Sequence, residues 1–387
     1  MKKMRLVVLV VSFLFCIASL SAVDFSEFDC YQNEITYEEI ERKIKDCLEK
    51  SSEIRSFYRL TPQAFYIGDL DRQQIDYVLY LREWRSDTSH ERPGRKGLKG
   101  ARIAIDPGHF GGAFAELEER FVKIPDSKTK NGQEIYFAEG DLAYLTAVKL
   151  KSLLEIEGAV VFISRAGIGK GAIEEDFFVW KQKHSELQAE SLSKIFRAYY
   201  NTEDLRKRAK KINEFCPDIT LVIHYNAHLN DAEKEANSFF TQSNYNLAFI
   251  PGAFGPGELK RKEDRYEFLR LLLTNTVEES LELSRDIVQE FVRHLGVPLI
   301  TQSDTASYIE KACLFQEPGV YCRNLALTRL IHSPVCYGET LVQNNEEEVY
   351  RLASRDAFIM ETACSSRIQE VAQAYFEGIK QYFNLSK

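Results

Sequence analysis

His109 stands directly after Asp106-Pro107-Gly108, where a short apolar run, Arg102-Ile103-Ala104-Ile105, meets a forced turn. His224 closes a second apolar run, Thr220-Leu221-Val222-Ile223, and Glu339 closes a third, 334–338. Glu139 opens a leucine-rich segment that reads as a helix. Two imidazoles and one carboxylate suit a tetrahedral zinc ion whose fourth position stays open to water. A further carboxylate that binds no metal can take the proton from that water. Each residue also has a plainer reading. His109 alone is a satisfied histidine after a loop, Glu139 alone a helix-start carboxylate favoured by the dipole, Glu339 alone a strand-end surface residue. Their claim rests on the set.

The elements that must position the set follow from the alternation of patterns. Short apolar runs at 102–105, 159–164, 218–224, 246–250 and 335–339 alternate with amphipathic stretches. Leu142, Leu145, Ala147, Leu150, Leu153 and Leu154 mark one helix face. Asn201-Thr202-Glu203-Asp204 is expected to cap a second helix, with Leu205, Ala209 and Ile212 inward. Such alternation predicts an α/β fold with a largely parallel central sheet flanked by helices. Ligands in these folds gather at the carboxyl ends of the strands, where His109, His224 and Glu339 fall.

Residues 23–85 read as a small N-terminal module, α/β or mainly helical. Thr36-Tyr37-Glu38-Glu39 starts a helix, and 64–67 and 75–80 look extended. Residues 86–99, with Pro93 and Gly94, read as a linker, and 100–387 as the catalytic domain. Two stretches interrupt the alternation, near 167–193 and 231–279, and both read first as solvated, partly helical excursions. Residues 1–22 have the layout of a secretory signal: Lys2, Lys3 and Arg5, an apolar run at 6–17, then Ser19-Leu20-Ser21-Ala22. That run is too short for a comfortable membrane span, and none is expected after cleavage. An exported protein of the periplasm or cell envelope is the expectation.

Hydrophobic content of 44% and charged content of 28% place the chain among globular proteins. Loss of the three basic residues of the signal moves the formal charge from −8 to −11, which argues against a nucleic-acid partner. Seven cysteines then remain, an odd number without CxxC, so neither a disulfide framework nor a zinc ribbon is read. Cys30 with Cys47 is the pair to test first. His228, four residues after His224, leaves a strand rather than a helix and is set aside as a ligand, as is Glu361 as a rival to Glu339. Gly167-Ile168-Gly169-Lys170-Gly171 lacks phosphate-loop spacing. Neither GxSxG nor HExxH occurs.

The motifs, taken in order, resemble those of the zinc-dependent N-acetylmuramoyl-L-alanine amidases. The family's DPGHGG is matched by Asp106-Pro107-Gly108-His109-Phe110-Gly111-Gly112, and its glutamate before a leucine-rich helix by Glu139. Its PDxxISIHxNA is matched by Pro217-Asp218-Ile219-Thr220-Leu221-Val222-Ile223-His224-Tyr225-Asn226-Ala227. Its late VLxExGFxxNxxE segment looks like 336–346, around Glu339. The resemblance runs from about residue 98 to 383. It departs at Phe110, an extra residue before the glycine pair, at Thr340-Leu341-Val342, where the family has GF, and after Arg165, where the family has an acid.

The resemblance implies zinc on His109, Glu139 and His224, with Glu339 as general base. The bond implied is the amide joining N-acetylmuramic acid to L-alanine of the peptidoglycan stem, cut in wall remodelling of the kind that accompanies cell division. It also implies that an inserted helix, here within 231–279 and carrying Glu258, Glu263 and Glu267, blocks the site until a partner protein moves it. Two alternatives stay open: a zinc metallopeptidase acting on wall stem peptides, and a catalytically silent cell-wall binding protein with the same fold.

Overall fold

The computed structural model describes residues 23–83, 97–229, 238–301 and 307–384. The expected signal segment and most of the expected linker lie outside the described residues. Thr36 caps helix Tyr37–Lys43 through a reciprocal capping box with Glu39. The chain then forms β1 (Tyr58–Leu60), β2 (Ala64–Asp69) and β3 (Gln74–Tyr80), paired as an antiparallel sheet.

The central sheet begins with β4 (Arg102–Pro107). A side hairpin, β5 (Phe121–Ile124) and β6 (Ile135–Ala138), delivers the chain to helix Glu139–Ile156. There follow β7 (Val160–Ile163), β8 (Ile219–Asn226), β9 (Leu247–Ile250), β10 (Cys313–Glu317), β11 (Val320–Arg323) and β12 (Val335–Val342). Their spatial order is β10-β11-β9-β12-β8-β4-β7. The block β7, β4, β8, β12 is parallel; β9 joins β12 antiparallel, and β10 joins β11 antiparallel. The sheet is therefore mixed and mostly parallel, in the α/β class that the sequence predicts. Every residue of β8 is buried, as suits an apolar run covered on both faces.

One face carries helices Glu139–Ile156, Thr276–Leu295 and Ser366–Asn384. The other packs Ala209 and Ile212 of helix Asn201–Phe215, with Leu327 and Ile331, onto Ala104, Val222 and Val335. Among the described residues no helix is long and apolar enough to cross a membrane.

Four expectations are corrected by this packing. Asn201 does not cap its helix: helical turns already run through Ile195–Tyr200, and Asp204 turns inward to Arg208 instead. The stretch after residue 167 is not a solvated excursion. Ile173, Phe177, Trp180, Ile195, Phe196 and Tyr200 close over Phe110 as a second small core. The helix offered as a blocking lid, Lys262–Leu273, buries Phe268, Leu269, Leu271 and Leu272 and packs against β2 of the N-terminal module. Its Glu267 bonds Arg270 and His332, while Glu258 accepts from the Gly255 amide and Asn324, so these carboxylates have partners other than His109 and His224. Finally, Cys30 and Cys47 are both free thiols; Cys47 lies against Gln316 of β10.

Candidate metal centre

The chain turns out of β4 through Gly108. A side chain there would meet the His224 ring at 2.3 Å, so only glycine lets the imidazole of β8 lie across this turn. His109 follows with φ +56°, a left-handed conformation that costs a non-glycine residue free energy. The surroundings over-determine it. Arg165, buried at 2% exposure, donates to the carbonyls of Pro107 (2.8 Å), Phe110 (3.0 Å) and Gly108 (3.2 Å). Phe110 is locked into the aromatic core by Phe196, centroid to centroid 5.0 Å, and by Tyr200 at 5.7 Å. The residue that interrupts the family pattern is thus the anchor that ties the 167–200 stretch to the histidine loop.

Glu118 is a functional residue that the sequence reading missed. Its Oε1 lies 2.9 Å from His109 Nδ1, and its Oε2 accepts the Phe110 amide at 2.8 Å. This contact assigns the proton to Nδ1 and leaves Nε2 to face inward. There Nε2 lies 3.3 Å from Glu139 Oε1. Glu139 is the first residue of its helix, and the same oxygen lies 3.0 Å from His224 Nδ1 and accepts the Tyr225 amide at 3.3 Å. Gln343 donates to the other oxygen at 3.4 Å. Helix-start carboxylate and ligand-set member are therefore one and the same residue. One donor atom each from His109, Glu139 and His224 fall within 4.8 Å of one another. Two imidazole nitrogens and a carboxylate oxygen, converging without a thiolate, fit a zinc-type ion with an open position.

The electrostatics follow from this crowding. Burial opposes charge on His109, yet Glu139 and Glu118 outweigh it and push its pKa up to about 10. Burial likewise opposes charge on Glu139, but the two histidines hold it below the usual carboxylate range. His224, buried and stacked on Tyr337 at 4.5 Å, is shifted down, chiefly by burial. Glu339 is the register partner of His224 across the β8–β12 pair. Burial and the Glu139 charge raise it to about 8, against the pull of Arg323, His109 and Arg120.

A cavity of about 120 Å³ opens beside this group, lined by His109, His224, Tyr337, Asp106 and Arg208 among others. One oxygen of Asp106, 3.5 Å from Arg208 Nη1, and one nitrogen of Arg208 are buried there without a hydrogen bond, a setting suited to ordered water. The His228 backbone donates to Asn344 Oδ1 and accepts from Asn344 Nδ2, and Glu361 is exposed between β13 (Ala357–Ile359) and β14 (Thr362–Cys364).

A family model described as N-acetylmuramoyl-L-alanine amidase matches residues 103–381. Solved structures similar to the chain include the CwlD amidase from Clostridioides difficile in complex with the GerS lipoprotein. It is 19% identical, covering 73% of this chain and 98% of that one, with a TM-score of 0.42. The amidase Ami1 from Mycobacterium smegmatis is 13% identical, covering 74% and 99%, with a TM-score of 0.43. The catalytic domain of CwlV from Bacillus (Paenibacillus) polymyxa var. colistinus is 15% identical, covering 74% and 99%, at 0.40. No curated protein matches the chain.

Proposed function

The chain belongs to the N-acetylmuramoyl-L-alanine amidase family, and from that premise we propose a zinc amidase built on His109, Glu139, His224 and Glu339. The observation that carries this reading is the convergence of the three donor groups, with Glu339 held beside His224 by strand register. His109, Glu139 and His224 would hold the ion. Zinc, when bound, supplies a Lewis acid that acidifies water and polarises the lactyl carbonyl.

The remaining work belongs to the chain's own side chains. Glu118 fixes the His109 tautomer, and Glu139 is oriented by the Tyr225 amide and Gln343. Glu339, the register partner of His224, takes the proton of the attacking water. It then returns that proton to the departing L-alanine amine, so the base ends each turnover as it began. Half-buried Tyr337 stacks on His224 at 4.5 Å and screens that ring from bulk water.

We assign residues 1–22 as an export signal, 23–85 as a module packed on the catalytic unit, and 100–387 as that unit, because a wall substrate lies outside the cytoplasm. An activating partner would have to act elsewhere than on helix Lys262–Leu273, whose apolar face is already buried. The test is zinc content together with hydrolysis of purified peptidoglycan, comparing wild type with Glu339→Ala. Metal in both proteins, with free stem peptide released by the wild type and a rate at least about a hundredfold lower in the variant, is expected. Folded wild type without metal would overturn the ligand set. Shortened stems in place of whole ones would make the chain a peptidase.

A further inference from the structure

A row of stacked side chains runs across the sheet from the metal ligands to an arginine that the proposed chemistry leaves unused. Tyr337 of β12 stacks on His224 at 4.5 Å, and its register partner on β9 is Phe249, ring centroids 6.1 Å apart. Phe249 is in turn the register partner of Tyr321 on β11. Arg323, two residues beyond Tyr321, therefore projects from the same face, and its guanidinium carbon lies 4.8 Å over the Phe249 ring. The Tyr308 ring also lies against it, its centroid 4.7 Å from the guanidinium carbon.

Two aromatic rings against a planar cation restrict it and leave its N–H groups for ligands. Among the described residues the guanidinium makes neither an ion pair nor a hydrogen bond, and none of its nitrogens is sealed from solvent. An arginine so placed, half-buried and without a hydrogen-bonded acid among the described residues, is organised for a carboxylate that arrives from outside. The arriving molecule must also meet Glu339, which faces Leu247 on β9, two residues before Phe249. The diagonal from Glu339 to Phe249 is about 7–8 Å, and the Arg323 guanidinium lies over the Phe249 ring, so the two groups share one face of the sheet.

Resting on the amidase reading above, we propose that Arg323 is a specificity-determining residue that binds a carboxylate of the stem peptide. The carboxylate it takes lies on the amine side of the scissile amide, where the stem peptide is. Phe249 and Tyr308 hold the guanidinium in register so that little side-chain freedom is lost on binding.

The test compares a muramoyl-L-alanyl peptide ending in a carboxylate with the same peptide ending in a carboxamide, on the zinc-loaded full chain. Wild type is expected to favour the carboxylate by about ten- to a hundredfold in KM, the range of one charge-assisted pair. R323M, which keeps the apolar stem between the rings, should bring that ratio toward one, with kcat moving less than KM. R323K should recover part of it. The same ratio is read as Kd in a Glu339→Gln background, where no hydrolysis is needed, so it stands apart from whether the chain is an amidase. A ratio that survives in folded R323M would overturn the proposal. So would a joint fall of kcat on both peptides with a shifted pH profile, because Arg323 would then act only through the charge of Glu339. Failure of both peptides to bind the wild type would overturn it as well.

Discussion

In the proposed centre, an imidazole can offer Nε2 to a metal only while Nδ1 keeps the proton, and Glu118 settles that for His109. Its carboxylate is 3% exposed and divides its two oxygens between the ring and the Phe110 amide. A carboxylate in this outer position raises ligand basicity as well as fixing the ring. Glu118→Gln keeps the shape and loses the charge. Zinc affinity, measured by competition with a chromophoric chelator, is expected to fall by about ten- to a hundredfold, with the melting temperature of the metal-free protein little changed. An unchanged affinity would mean that the His109 loop is held by Arg165 and Phe110 alone. No local sequence signal marks Glu118, an acid nine positions after a histidine. The clustering of His109, Glu139 and His224 was legible because His109 follows β4, Glu139 starts a helix and His224 lies near the end of β8.

At the scale of elements, the histidine loop is clamped between β4 and the aromatic core of the 167–200 stretch. Phe110, 1% exposed, is the joint between them. Phe110→Ala removes a ring from a packed cluster and leaves a cavity, which costs about 3–5 kcal/mol. Urea titration should show that loss in the midpoint at constant m-value, and metal affinity should fall with it because the left-handed His109 backbone loses its support. A cost well under 1 kcal/mol would show that the stretch packs without the loop. The strands at 102–105, 159–164, 218–224, 246–250 and 335–339 and helix Glu139–Ile156 were readable from period and turn chemistry; β10, β11 and the strand order were not. The 167–200 core and helix Lys262–Leu273 were not, and for one physical reason. Acids and aromatics such as Asp176, Phe177 and Phe178, or Arg265 and Glu267, look solvent-facing in a local window. Their partners lie far along the chain: Arg265 pairs with Asp76 at 2.5 Å, across 189 residues.

At the scale of the whole molecule, that ion pair is one of several ties that make the N-terminal module part of the main body. Lys43 donates to the Thr274 carbonyl at 2.5 Å and meets Glu278 at 2.9 Å. The Ala253 and Phe254 amides donate to the Cys47 and Leu48 carbonyls at 2.8 and 2.7 Å. Phe65, Ile67 and Leu79 of the small sheet share one continuous core with Phe254, Leu259 and Phe268. Elements joined through a common core unfold together, since separating them exposes apolar area on both sides. The full chain is therefore expected to unfold in one transition, with fluorescence and far-UV circular dichroism giving the same urea midpoint. Deleting residues 23–83 uncovers Phe254, Leu259 and Phe268, so the shortened chain should aggregate or lose at least about 3 kcal/mol, the cost of a few large apolar side chains returned to water. Two separated transitions in the full chain, or a shortened chain that stays soluble at the original midpoint, would instead mark the module as a separate domain.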